Sequence, residues 1–167
     1  MTQACCNSGP FIHLAQINLL HIFSLFPHIY TTPQVIVEIS KGSEPGIKNI
    51  PFWKNLKVKR VNRKEIDKIK RAVSKFKLDD TEASVISLCE KLKVQLFLTD
   101  DLDAREAGME LGLDVHGSVG IIVKAYRLGL ITFKDAEKGI NDLYDESSLF
   151  VTKGIVIKAI RKLRRNE

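Results

Sequence analysis

Val94 to Leu98 is a short, nearly all-apolar run. It is too brief for a helix and reads as a strand buried on both faces. Thr99 follows it, then Asp100, Asp101 and Asp103, and a helical pattern begins at Ala104. A doubly buried strand implies helices on both sides of a parallel sheet. Open sheets of that kind bind ligands beyond the carboxyl ends of their strands, where this chain places three carboxylates. Water screens such a group on a surface turn, whereas a half-buried turn needs a cation or a proton.

The rest of the chain repeats the alternation. Gln3 to Cys6 is a candidate first strand; Ser8 suits a helix cap and Pro10 a first helical turn. Ile12, Ala15, Leu19, Ile22, Phe23 and Phe26 recur at three- and four-residue steps, which predicts one helix from Phe11 to Phe26. His28 to Tyr30 is a second strand. Thr32-Pro33 starts a helix, Gln34 to Ser40, that carries Glu38, and Lys41 to Pro51 reads as a loop. Leu56 to Val61 alternates apolar and basic residues, as an edge strand does. Asn62 caps a basic helix, and Asp79-Asp80-Thr81-Glu82 opens another that feeds the central strand. A helix from Ala104 to Leu111 stops at Gly112, and Leu113 to His116 is a further strand. Ser118 caps a helix that ends before Gly129, and Thr132 and Thr152 cap two more, the last strongly basic. This pattern predicts an α/β fold with a mostly parallel sheet and extra C-terminal helices.

With 167 residues, one domain is expected and a core forms without disulfides. Cys5, Cys6 and Cys89 have no metal-finger spacing and suit a reducing cytoplasm. The early apolar run is broken by Asn7, Gly9, Pro10 and His13 and lacks a basic leader, so neither a signal peptide nor a membrane span is expected. The net charge of +6 permits a polyanionic partner without requiring one.

Asn7 follows the first strand, Glu38 lies in an apolar helix, Glu82 opens a helix, and Asp100 and Asp101 close the central strand. Oxygen ligands from separate elements, converging at strand ends, suit Mg2+ or Mn2+. Each residue also has a plain structural role open to it. Glu82 complements a helix dipole, Glu38 edges a buried helix, Asp100 and Asp101 make a turn and a cap, and Asp103 is a cap. Arg105 suits a surface or carboxylate-partner role, and the four histidines show no metal spacing. No phosphate-cradling glycine loop and no serine or cysteine nucleophile motif is present.

The order Asn7-Ser-Gly-Pro10, Pro33 to Glu38, Glu82-Ala83, Leu98-Thr-Asp-Asp101 and Gly112-Leu113 to Gly117-Ser-Val-Gly120 resembles the PIN domain, in particular its VapC-like branch. The resemblance implies a three-layer α/β/α sandwich. Residues 1–131 would be the nuclease domain and 132–167 a helical extension packed on it. It further implies a cytoplasmic, metal-dependent ribonuclease of the toxin type, acting on RNA, restrained by a small antitoxin and able to form a homodimer. Glu38, Glu82 and Asp101 would be catalytic, holding Mg2+ or Mn2+ with Asn7 and with Asp100 as the assisting neighbour. Two positions depart from the family pattern. Asn7 stands where an acid is usual, and Gly9 where a small residue or serine is. The Asn7 departure supports a rival from another class, a catalytically weak RNA- or protein-binding module.

Overall fold

The computed structural model describes residues 2–165. Five short strands, β1 (Ala4–Cys6), β2 (Ile29–Thr31), β3 (Leu56–Val58), β4 (Leu96–Leu98) and β5 (Asp114–His116), form one sheet in the order β3-β2-β1-β4-β5. Every neighbouring pair is parallel. β1 and β4 are wholly buried, which is why their sequences are continuous apolar runs without alternation. β3 and β5 are the edges, and each shows exposed residues.

Among the described residues there are eight α-helices: α1 (Ser8–Gln16), α2 (Pro33–Ser40), α3 (Arg63–Ala72), α4 (Asp80–Leu92), α5 (Leu102–Glu110), α6 (Ser118–Arg127), α7 (Phe133–Asp145) and α8 (Lys153–Arg164). α4 packs on β1, β2 and β4 with α3 and α5 beside it, while α1 packs against α6. The result is the expected α/β/α sandwich around a parallel sheet. α7 and α8 pack on each other and on α6. Among the described residues no helix is long and apolar enough to cross a membrane.

Several local expectations need correction. The helix drawn from Phe11 to Phe26 ends at Gln16. Asn18 takes a left-handed φ of 59°, and a separate 3-10 turn runs Leu20–Leu25. The apolar period continues through the break because both pieces face one core that includes Phe11, Leu14, Ile22 and Phe23. The first helix is capped by Asn7 rather than Ser8, and α6 by Gly117 rather than Ser118. α5 starts at Leu102, two residues early, because Asp101 is its cap; Asp103 lies inside the first turn. The loop before β3 holds a 3-10 turn, Ile47–Phe52. The caps at Asn62, Thr132 and Thr152 and the stop at Gly112, with φ of 81°, stand as expected.

Candidate active site

In this strand order the chain leaves β1 towards β2 and later leaves β4 towards β5, so the crossovers diverge between β1 and β4. In open parallel sheets such a divergence marks the position of the ligand crevice, beyond the carboxyl ends of the two strands. Asn7 and Thr99 are the first residues beyond those ends, and they tie the crevice together. The Asn7 N–H donates to Leu98 O at 2.9 Å, and its Nδ2 donates to Thr99 Oγ1 at 3.3 Å. Thr99 Oγ1 also accepts the Asp101 N–H at 3.3 Å. Asn7 Oδ1 accepts the Ser8 N–H at 2.9 Å. Asn7 is 4% exposed and Thr99 is fully buried.

Asp100 turns inward. Its Oδ1 accepts the Ser118 N–H at 2.7 Å, and its Oδ2 accepts Ser118 Oγ at 2.6 Å and pairs with His13 Nδ1 at 2.7 Å. The chain makes room for this knot with glycine. A Cβ at Gly117 would stand 2.6 Å from Asp100 Oδ1 and 2.8 Å from Arg105 Nη1, and one at Gly9 would stand 3.3 Å from Asp100 Cβ. The small residue at position 9 is therefore a matter of space. Composition and spacing assign no role to His13, whose partner is 87 residues away, nor to Thr99.

Asp101 and Glu82 are half engaged. Asp101 Oδ1 caps α5 by accepting the Ala104 N–H at 2.8 Å. Glu82 Oε2 accepts the Asp79 N–H at 2.8 Å while Asp79 Oδ1 accepts the Glu82 N–H, a reciprocal box at the start of α4. Among the described residues the second oxygen of each has no donor, and Glu38 on α2 accepts nothing with its carboxylate. The start of α2 is fastened to α4 by the Thr32 and Ser84 hydroxyls, 2.8 Å apart. Thus α2, α4 and the β4–α5 turn hold Glu38, Glu82 and Asp101 in one electrostatic neighbourhood.

Glu82 registers that neighbourhood. Burial, first, pushes its carboxyl from 4.5 up to about 7; the Asp79 N–H opposes the rise, and the charges of Asp79, Asp101 and Glu38 add to it. Like-charge repulsion is thus a secondary cause, behind the loss of water. Among the described residues no cation lies within ion-pairing distance of these three acids, and no three His, Cys, Asp or Glu side chains gather tightly enough to chelate one ion directly. The donor chemistry therefore fits a hydrated divalent ion: hard oxygens with free lone pairs, and water completing the shell.

A family model described as PIN domain matches residues 3–165. No curated protein matches the chain. Among solved structures, the chain is similar to VapC20 of Mycobacterium tuberculosis, a sarcin-ricin-loop-cleaving toxin, with a TM-score of 0.52 and 12% identity, covering 63% of this chain and 95% of that one. At that identity the likeness concerns the fold.

Proposed function

The chain belongs to the PIN-domain family, and on that premise we propose that it is a cytoplasmic, divalent-metal-dependent ribonuclease of the VapC-like toxin type. The observation that carries the proposal is Glu82. A carboxyl raised to about 7 beside Asp101 and Glu38, with no cation in reach among the described residues, marks a place that favours bound positive charge. Residues 1–131 would do the chemical work and residues 132–167 would support them.

Each acid has a distinct part. Asp101 and Glu82 each anchor one oxygen on a backbone N–H, which orients the free oxygen before any ligand arrives. Glu38 supplies a third carboxylate from α2. Asn7 adds a neutral amide at the crevice floor, with its oxygen already engaged by Ser8. Asp100 assists indirectly, by fixing the turn that aims Asp101. A bound Mg2+ or Mn2+ would lower the pKa of a water and stabilise charge on the phosphate oxygens. Glu38, Glu82 and Asp101 would hold that ion, and net hydrolysis would form one P–O bond to water, break the P–O bond to the sugar and leave the proton on the departing sugar oxygen. A small antitoxin and self-association follow from the VapC-like reading as expected partners.

Asn7 keeps the rival in play. Its amide is spent on a cap and on Thr99, an arrangement equally suited to a binding module that kept the fold. A cleavage assay on single-stranded RNA, in Mn2+, in Mg2+ and in chelator, decides between them. The enzyme predicts cleavage only with metal, reduced by on the order of 100-fold or more in Asp101→Asn. Metal-independent RNA binding without cleavage would establish the module.

A further inference from the structure

Between Pro45 and Lys64 the chain carries seven Lys or Arg and not one Asp or Glu. Taken alone, such a run is an ordinary solvated face. The ion pairs divide it. Arg63 is held by Asp67 and Asp80, and further along Lys68 meets Glu90, Lys70 meets Asp80, and Lys75 meets Glu110. Lys48, Lys54, Lys57, Lys59, Arg60 and Lys64 are exposed and, among the described residues, pair with no carboxylate. On α3, Arg63, Lys68 and Lys70 are paired with carboxylates, whereas among the described residues the cations on and beside β3 have no such partner.

Placement gives this charge a direction. β3 is an edge strand, with Lys57 and Val58 exposed. Phe52 stands just before it and is 84% exposed. The adjoining Trp53 is anchored against Phe11 and Phe23, with ring centroids 6.0 and 5.6 Å away, so Phe52 is displayed on a fixed support. Lys59 and Arg60 leave β3 at the end where Thr31, Asn7 and Thr99 leave their strands, and the Lys59 N–H donates to Thr31 O at 2.8 Å. Lys54 and Asn55 form the turn that leads into β3, and two strand spacings, about 10 Å, separate β3 from β1.

We propose that residues 52–60 form a docking track for single-stranded RNA along the free edge of β3: Phe52 stacks on an unpaired base, Lys57, Lys59 and Arg60 hold phosphates, and the strand is led toward the crevice between β1 and β4. The choice of RNA rests on the nuclease reading above. The chemistry agrees with it, since an exposed aromatic ring beside unpaired cations is the combination that binds single strands without reading sequence. A basic edge also blocks strand-to-strand aggregation, and the test separates the two roles.

The experiment measures binding of an unstructured RNA oligomer by fluorescence anisotropy over a salt series, in chelator so that no cleavage intervenes. Lys57→Gln/Lys59→Gln/Arg60→Gln should weaken binding roughly 10-fold or more and reduce the salt slope by about 2. Phe52→Ala should cost about 5-fold or more on the single strand and little on a duplex, whose bases are not free to stack. Lys68→Gln/Lys75→Gln, at ion-paired positions, should change neither quantity beyond about 2-fold. Unaltered affinity and slope in the triple variant, equal losses in the ion-paired control, or absence of RNA binding by the natural chain would each overturn the track. The assay is independent of catalysis. Track-dependent binding without any nuclease activity leaves the track standing and removes the enzyme, whereas metal-dependent cleavage with track-insensitive binding does the opposite.

Discussion

The carboxylates at the carboxyl end of the sheet are held in two different conditions. In the β4–α5 turn Asp100 accepts three hydrogen bonds, from Ser118 N, Ser118 Oγ and His13, and its side chain is 6% exposed. On α4 and α2, among the described residues, Glu82 has one oxygen without a donor and a pKa lifted to about 7, and Glu38 accepts nothing. Asp101 stands between, with one oxygen capping and one open. A saturated carboxylate is finished as a structural part. An under-coordinated one in a half-buried place retains the capacity to bind something else. Under the proposed reading the contrast would give scaffolding to Asp100 and ligation to Asp101, although the two are adjacent in the chain.

Breaking the saturated side should cost most. Asp100→Ala strands the Ser118 N–H, the Ser118 hydroxyl and His13 together, and should lower unfolding free energy by roughly 3 kcal/mol in denaturant titration, with or without metal. A loss that vanished when Mn2+ was added would instead put Asp100 among the ion's ligands.

The under-coordinated side should respond in the opposite sense. A carboxyl whose folded pKa exceeds its unfolded one favours folding while protonated. The contribution is complete below about 4.5 and is lost as pH rises through about 7. Glu82→Gln keeps an acceptor for the Asp79 N–H and removes the charge. At pH 8 in chelator it should therefore raise stability by about 1 kcal/mol, abolish that pH dependence, and lose the thermal stabilisation by Mn2+. Equal metal responses in Glu82→Gln and the natural protein would detach Glu82 from the ion.

Asn7→Asp is the finest probe and should shift stability by less than about 1 kcal/mol. It adds a charge at the crevice floor with little change of volume. Melting temperature should fall in chelator and recover in Mn2+, and RNA cleavage should quicken. No change in any of the three would leave Asn7 as a cap and nothing more.

The alternation of apolar runs and capped helices made the architecture legible in the sequence, because each element carries its own signal. Thr32-Pro33, Asn62 and Thr132 announce helix starts locally, and the continuous apolar β4 announces burial on both faces. The break at Asn18 was hidden because the period of the core does not stop there, and only the left-handed asparagine betrays it. Strand order carries no local signal at all. The site was legible as a set of acids and illegible in its division of labour. Which of two adjacent aspartates turns inward depends on Ser118 and His13, which reach Asp100 from 18 residues after it and 87 residues before it.

The amide of Asn7 meets the hydroxyl of Thr99 across 92 residues of chain, and β1 lies in the middle of the sheet with β4 on its inner flank. A polypeptide growing from its amino end thus displays β1, α1 and β2 early and waits for β4. Until that strand docks, the central strand has one side unpaired and Asp101 does not exist beside Glu38 and Glu82. Closing so long a loop is slow relative to local pairing. Competence at the crevice should accordingly appear in one late step, together with completion of the sheet, and nascent chains that stop short of Thr99 should fold in part but hold no site.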